Sequence, residues 1–266
     1  MHDLTGKVAF ISGAGSVGEG WGNGKATAVL LARQGATIYG TDIDKEAAEE
    51  TRRLIEAGGG TCFATGVDMT RAADVEAAVA DCLARFGRID ILINNVGGSA
   101  PGDPVSMTEE VWDFQLDLNL KTAFLACKYV IPAMERQGGG AIVNLSSIAG
   151  VRVLAGRPHV AYTTTKLGIL GFSRSIAVTY AKQHIRCNTV IPGLMHTPLV
   201  EHRLAKTVAG GDAEALIAAR NAQVPTGKMG DAWDVAQAVL FLVSDEARYV
   251  TAAEIAVDGG LSAISR

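Results

Sequence analysis

Short apolar runs and longer amphipathic stretches alternate along the chain. Residues 8–11, 37–41, 61–67, 89–93, 141–145, 185–190 and 254–257 each have the length and composition of a strand. Several, such as Val8-Ala9-Phe10-Ile11, are apolar throughout instead of alternating, the pattern of a strand covered on both faces and hence of a parallel sheet. Between them lie helical patterns: residues 25–33 closed by Gly35, a charged helix over about 45–57, and an alanine-rich helix near 74–86. A long amphipathic stretch opened by Ser106 or Thr108, the stretch around Tyr162, and residues 233–243 continue the series. Strand and helix alternating in this way predict an α/β fold, a doubly wound parallel sheet of about seven strands with helices on both faces. At 266 residues the chain is read as one such domain, 1–266. Residues 195–225, interrupted by Gly210-Gly211, are expected to cover a substrate as one or two helices.

Charge narrows the function class. A net charge of −4 with 20% charged residues gives no basic footprint for nucleic acid. No apolar run reaches membrane-spanning length, and the first residues lack the basic and apolar regions of a signal peptide. A cytoplasmic location is therefore expected, with small molecules and copies of the same chain as partners and no membrane. Cys62, Cys82, Cys127 and Cys187 are scattered without Cys-x-x-Cys spacing, so they read as buried reduced thiols and no metal site is assigned.

Candidate chemistry begins at the first strand, which runs into Ser12-Gly13-Ala14-Gly15-Ser16-Val17-Gly18-Glu19-Gly20-Trp21-Gly22-Asn23-Gly24. A glycine-rich turn between strand and helix lets the backbone approach a pyrophosphate, which then sits on helix N–H groups. If the helix began at Gly18 it would carry three further glycines in its first turns, each costing about 1 kcal/mol relative to alanine. A start near Gly24 avoids this, and it makes Gly13, Gly22 and Gly24 the functional glycines, with Ser16 and Asn23 in the loop they bound. Trp21 either flanks the cofactor or anchors this enlarged loop. Asp42 ends the second strand, where a carboxylate accepts hydrogen bonds from ribose hydroxyls and repels a 2′-phosphate, so it favours NAD over NADP. Asp44 is the better N-cap for the helix that follows.

Tyr162 and Lys166 lie four apart in Ala161-Tyr162-Thr163-Thr164-Thr165-Lys166, so a helix presents them on one face. A cation within about 4–6 Å of a phenol favours the phenolate, which predicts a tyrosine able to act as a base near neutrality. Alone such a pair is common. Here Asn119 and Ser146-Ser147 precede it and the glycine turn stands upstream of all three. In this set the chain resembles the short-chain dehydrogenase/reductase family over about residues 7–260, with its Asn, Ser, Tyr-x-x-x-Lys order and its Gly-x-x-x-Gly-x-Gly turn lengthened by about five residues.

The resemblance implies that Ser147 holds a substrate oxygen, Tyr162 is the general acid/base, Lys166 also binds the nicotinamide ribose, and Asn119 positions a water for proton exit. It further implies that Asp68 and Met69 border the adenine and that the Asn95 to Gly97 backbone passes the ribose. The turn carrying Pro192, Met195 and Thr197 would pack on the nicotinamide. It implies a homotetramer through residues 108–137 and 163–182. Arg152, Arg157 and His159, in a Ser147-to-Tyr162 segment longer than usual, are read as solvated in preference to an anion-binding cluster, and His196 and His202 as surface residues in preference to substrate contacts. The leading expectation is an NAD-dependent oxidoreductase moving a hydride between a secondary alcohol and a ketone. An NADPH-dependent carbonyl or 3-oxoacyl reductase, and a non-catalytic nucleotide-sensing or scaffold protein, are the alternatives.

Overall fold

The computed structural model describes residues 2–153, 158–200 and 212–264. Parallel strands β1 (Val8–Ser12), β2 (Thr37–Asp42), β3 (Thr61–Gly66), β4 (Ile91–Asn94), β5 (Gly140–Leu145), β6 (Ile185–Pro192) and β9 (Glu254–Val257) form one sheet in the order β3-β2-β1-β4-β5-β6-β9. The all-apolar strands fall where helices cover both faces. Helices α1 (Asn23–Arg33) and α8 (Ala232–Val243) bury Val29, Leu31, Val235 and Val239 against one face, joined by Ile55 of α2 (Lys45–Ala57). On the other face α3 (Ala72–Phe86), α5 (Thr122–Gln137) and α6 (Val160–Thr179) pack Val75, Val130, Met134 and Ile176 around Phe10 and Tyr39. The Phe10 and Tyr39 rings stack with centroids 5.3 Å apart, and the Tyr39 hydroxyl donates to Asp81 at 2.9 Å.

The strand order reverses between β1 and β4, because the chain builds outward through β2 and β3 and then crosses back. Such a reversal opens a crevice at the carboxyl ends of the strands. Ser12, Asp42 and Asn94 are the last residues of β1, β2 and β4, so polar groups are delivered to that crevice by strand length alone.

The sequence reading places most elements within a few residues, and three differences have physical causes. Strand β4 begins at Ile91, not Ile89, because the Asp90 carboxylate is engaged by the Val8 amide (2.9 Å) and by Arg88 (2.6 Å). The long helix is broken in two: α4 (Glu109–Leu116), capped by Thr108, and α5 are joined by a π turn, Asp117–Lys121, that contains Asn119. Two-residue strands β7 (Met195–His196) and β8 (Gly230–Asp231) pair with each other, too short to leave a periodicity. Asp44 is the N-cap of α2, accepting from the Glu46 amide at 3.0 Å.

Of the stretch expected to cover the substrate, residues 201–211, including His202 and the Gly210-Gly211 pair, lie outside the described residues, as does Arg157. Within the rest, α7 (Ala213–Asn221) is capped by Asp212. No helix among the described residues is long and apolar enough to cross a membrane.

Candidate active site

A cleft of about 1090 Å³ opens at the carboxyl ends of the strands, where the order reverses. At one end stands the glycine turn. Gly13 has φ +69°, a left-handed conformation suited to glycine. A Cβ on Gly24 would overlap the Gly13 carbonyl oxygen and lie 2.6 Å from Asn95 Nδ2, the group that donates to that same oxygen at 2.8 Å. Helix α1 therefore starts at the later glycines, as helix propensity predicts. Its N-cap is Gly22, with no side-chain capping bond and no acidic residue in the first turn, so its leading N–H groups have no anion from the protein. Ser16 Oγ is buried in the same loop without a hydrogen-bond partner.

Trp21 does not line the cleft. It packs on Trp233 with centroids 4.7 Å apart, and Lys25 Nζ sits 5.3 Å from its ring, which makes it the anchor of the enlarged loop. Asp42 faces the cleft and accepts from the Gly15 amide at 3.0 Å and the Asp44 amide at 3.1 Å. Burial raises its carboxyl above the ordinary carboxylate value, with these amide bonds acting in the opposite direction. Each carboxylate oxygen still has a lone pair to offer. An uncapped helix N-terminus, an orphaned buried hydroxyl and a carboxylate at the end of β2 fit a dinucleotide.

The other end is built on β5 and α6. Lys166 is buried, and its Nζ donates to the Leu145 carbonyl at 2.9 Å, which holds α6 against the end of β5. Ser146 Oγ adds a bond to the Lys166 carbonyl at 2.6 Å. Ser147 caps the 3-10 turn Ile148–Gly150 by accepting from the Ala149 amide at 3.2 Å, and its side chain hydrogen-bonds Tyr162. Lys166 Nζ is 5.8 Å from the centre of the Tyr162 ring, so the two groups share a face as their spacing requires.

The electrostatics correct one expectation. Burial pushes the Tyr162 phenol above its ordinary value, and only the Ser147 hydrogen bond acts against this. Burial likewise lowers Lys166 to about 8. Desolvation disfavours the charged form of both groups, so the lysine weakens as a cation in the same dry environment that neutralises the phenol. In the free protein burial therefore works against the near-neutral phenolate predicted from the pair.

Gly13, Ser16, Gly22, Asn23, Gly24, Asp42, Asp68, Met69, Asn95, Gly97, Ser147, Tyr162, Lys166, Pro192, Met195 and Thr197 all line the cleft. Asn119 stands behind it, with its amide donating to the Gly98 carbonyl (2.9 Å) and accepting from the Gly98 amide (2.9 Å). A Cβ on Gly97 would lie 2.9 Å from both Asn119 Oδ1 and Lys166 Nζ, so these three groups meet at one point. The π turn aims a buried asparagine at this loop, a common use of such turns.

Supporting residues not singled out in the sequence include Gln115, whose Oε1 accepts from the Ala100 amide at 3.2 Å. Asn144 is another, linking Asn94 (2.7 Å) to Ser173 (2.8 Å) beneath the cleft floor. Asparagine within the apolar run 141–145 was the available signal, since a buried amide demands partners. Arg152 and His159 also line the cleft and are not simply solvated, whereas His196 is exposed.

Comparison with known proteins agrees with this geometry. A family model described as enoyl-(acyl carrier protein) reductase matches residues 18–262. The chain is similar to the 3-oxoacyl-[acyl-carrier-protein] reductase FabG of Thermotoga maritima, 36% identical over 97% of this chain and 98% of that one. It is also similar to the cyclohexanol dehydrogenase of an Acinetobacter species, 38% identical over 95% and 94%. A crystal structure from Burkholderia xenovorans, assigned to the short-chain dehydrogenases/reductases, superposes with TM-score 0.94 at 49% identity and covers both chains fully.

Proposed function

The chain belongs to the short-chain dehydrogenase/reductase family and is an oxidoreductase that takes a nicotinamide cofactor and a small-molecule substrate; from that premise we propose that it is an NAD-dependent dehydrogenase interconverting a secondary alcohol and its ketone. The carrying observation is the Ser147–Tyr162–Lys166 group, half-buried around a buried lysine at one end of a cleft whose other end bears Asp42 and an uncapped helix N-terminus. When bound, an oxidised nicotinamide supplies the hydride acceptor and a positive charge within the cleft.

The remaining roles fall to the chain. Ser147 donates a hydrogen bond to the substrate oxygen and holds it near Tyr162. In oxidation Tyr162 acts as the phenolate, its own proton having left by the exit that Asn119 and Lys166 border, and accepts the alcohol proton; in reduction the neutral phenol donates its proton to the carbonyl oxygen. Lys166, with one of its three N–H groups on Leu145, keeps two donors for the ribose and the phenol side. Asn119 steadies the Gly97-Gly98 backbone against Lys166, which supports its reading as part of the proton exit. The loop at Ser16, Gly22, Asn23 and Gly24 takes the pyrophosphate. Asp68 and Met69 flank the adenine, Asn95 and Gly97 the ribose, and Pro192, Met195 and Thr197 the nicotinamide. An absorbance assay at 340 nm with secondary alcohols and NAD tests the reading, and absence of turnover across aliphatic, alicyclic and hydroxy-acid alcohols would overturn it. The exposed Phe114, Phe124, Leu167 and Val178 on α4, α5 and α6 are apolar surface that the expected homotetramer would bury, and light scattering in solution reads its mass.

Two outcomes refine the assignment. Asp42→Asn keeps one acceptor oxygen but removes the charge. It is expected to lower kcat/KM for NAD about 10–100-fold, the range for losing a hydrogen bond to a charged acceptor, and to lower the NAD-to-NADP preference. An unchanged preference would reopen the NADPH-dependent reductase reading. In the free protein burial disfavours the phenolate of Tyr162. An ultraviolet difference titration of wild type against Tyr162→Phe is therefore expected to place its ionisation above the ordinary tyrosine value. A midpoint between about 6 and 9 would restore the lysine as the dominant influence.

A further inference from the structure

Ionisable groups are divided unevenly along the cleft. Its acids, Asp42, Asp44 and Asp68, all follow β2 and β3, at the end assigned to adenosine. Around Ser147 and Tyr162 the ionisable lining groups are Lys166, Arg152, His159 and Arg220, and no carboxylate lines this end among the described residues. Lys166 is committed to Leu145 and the active-site group. Arg220 contacts Met229 Sδ and is tied down elsewhere.

Arg152 and His159 are different. The Arg152 guanidinium donates through Nη1 to the Leu261 carbonyl, and no carboxylate pairs with it among the described residues. A guanidinium carries five N–H donors in a planar fork, so most of its donor capacity stays available in a cleft wall. The Leu261 bond also orients the fork before any ligand arrives. His159 occupies the N-cap position of α6 without a side-chain capping bond, and its buried Nδ1 has no hydrogen-bond partner. No described residue fixes its tautomer, so the ring can present a donor to a ligand. Two side chains with donor capacity to spare, His159 three residues before Tyr162 and Arg152 five residues past Ser147, line the cleft that holds the active-site group.

We propose that the substrate is a carboxylate-bearing secondary alcohol or ketone, recognised by the Arg152 fork with His159 donating a supporting hydrogen bond. One permanent positive charge matches a monoanion, and a planar carboxylate matches the fork bidentately. The proposal rests on the dehydrogenase reading above and names the substrate class of that same site.

The test uses the full-length protein saturated with NAD. 3-Hydroxybutyrate, 4-hydroxypentanoate and 5-hydroxyhexanoate are each compared with their primary amides, which keep size and the reacting carbinol but lose the charge. At least one acid is expected to exceed its amide in kcat/KM by about 10–100-fold, and Arg152→Gln is expected to collapse that ratio towards one, mainly through KM. Arg152→Lys keeps the charge without the fork and is expected to restore the ratio only in part. Calorimetric binding of 4-oxopentanoate to wild type and Arg152→Gln gives a readout independent of turnover. Amides that react as well as acids, or an Arg152→Gln protein with an undiminished acid-to-amide ratio, would overturn the substrate class and leave the dehydrogenase reading standing. Carboxylate binding lost in Arg152→Gln, with no turnover of any alcohol in wild type, would support the anion site and sink the dehydrogenase reading instead.

Discussion

Tyr162→Phe is expected to lower kcat for alcohol oxidation and for ketone reduction alike by about 10²–10⁴-fold, the usual contribution of a positioned general acid or base. The substitution removes one oxygen and leaves the ring, so α6 keeps its packing and Lys166 its bond to the Leu145 carbonyl at 2.9 Å. Stability changes only by the hydrogen bond with Ser147, about 1 kcal/mol. The Kd for NAD, measured by calorimetry, is expected to move less than about threefold, because no atom assigned to the pyrophosphate or adenosine is touched. Loss of rate with retained binding separates the proton-transfer role from a structural one. A variant that keeps more than a tenth of wild-type kcat would show that another group moves the proton.

Gly24→Ala carries the second large effect, and its sign is the test. In an ordinary helix glycine to alanine stabilises by up to about 1 kcal/mol. Here the added methyl would overlap the Gly13 carbonyl oxygen and crowd Asn95 Nδ2 at 2.6 Å. The first obstacle is backbone, which no rotamer change can move. Either α1 retreats from the turn or the Asn95 bond to Gly13 breaks, and each disrupts the loop assigned to the pyrophosphate. Overpacking of this kind costs about 1–3 kcal/mol or more, so Tm is expected to fall by roughly 2–10 °C while NAD binding weakens at least about tenfold. A Gly24→Ala protein as stable as wild type and with unchanged NAD affinity would mean that the helix does not start against Gly13.

How far these residues could be read from the chain depends on the range of the interactions that set them. The start of α1 was legible because glycines at 20, 22 and 24 make an earlier helix costly, a strictly local argument. Asp42 was legible because its place at the end of an apolar run determines which edge it reaches. The Tyr162–Lys166 pair was legible as geometry, since four residues make one helical turn, but not as electrostatics. Their shared burial, supplied by β5, the Ile148–Gly150 turn and the cleft walls, reverses the expected shift of the phenol. Asn119 was found by its place in the Asn, Ser, Tyr, Lys order, while the π turn that aims it and its bonds to Gly98 belong to a tertiary contact 21 residues away. That Arg152 and His159 line the cleft was not legible, because only the fold shows which side of their segment faces inward.

Local spacing by itself determined the strand and helix order, the register of the glycine turn, and the identity of the residues at the strand ends, since each depends on neighbours within a few positions along the chain. Tertiary structure alone decided the protonation preferences of Tyr162 and Lys166, the buried Asn94–Asn144–Ser173 chain, and the basic end of the cleft. Desolvation and charge arrangement are set by what surrounds a group in space, and those surroundings are assembled from segments far apart in sequence.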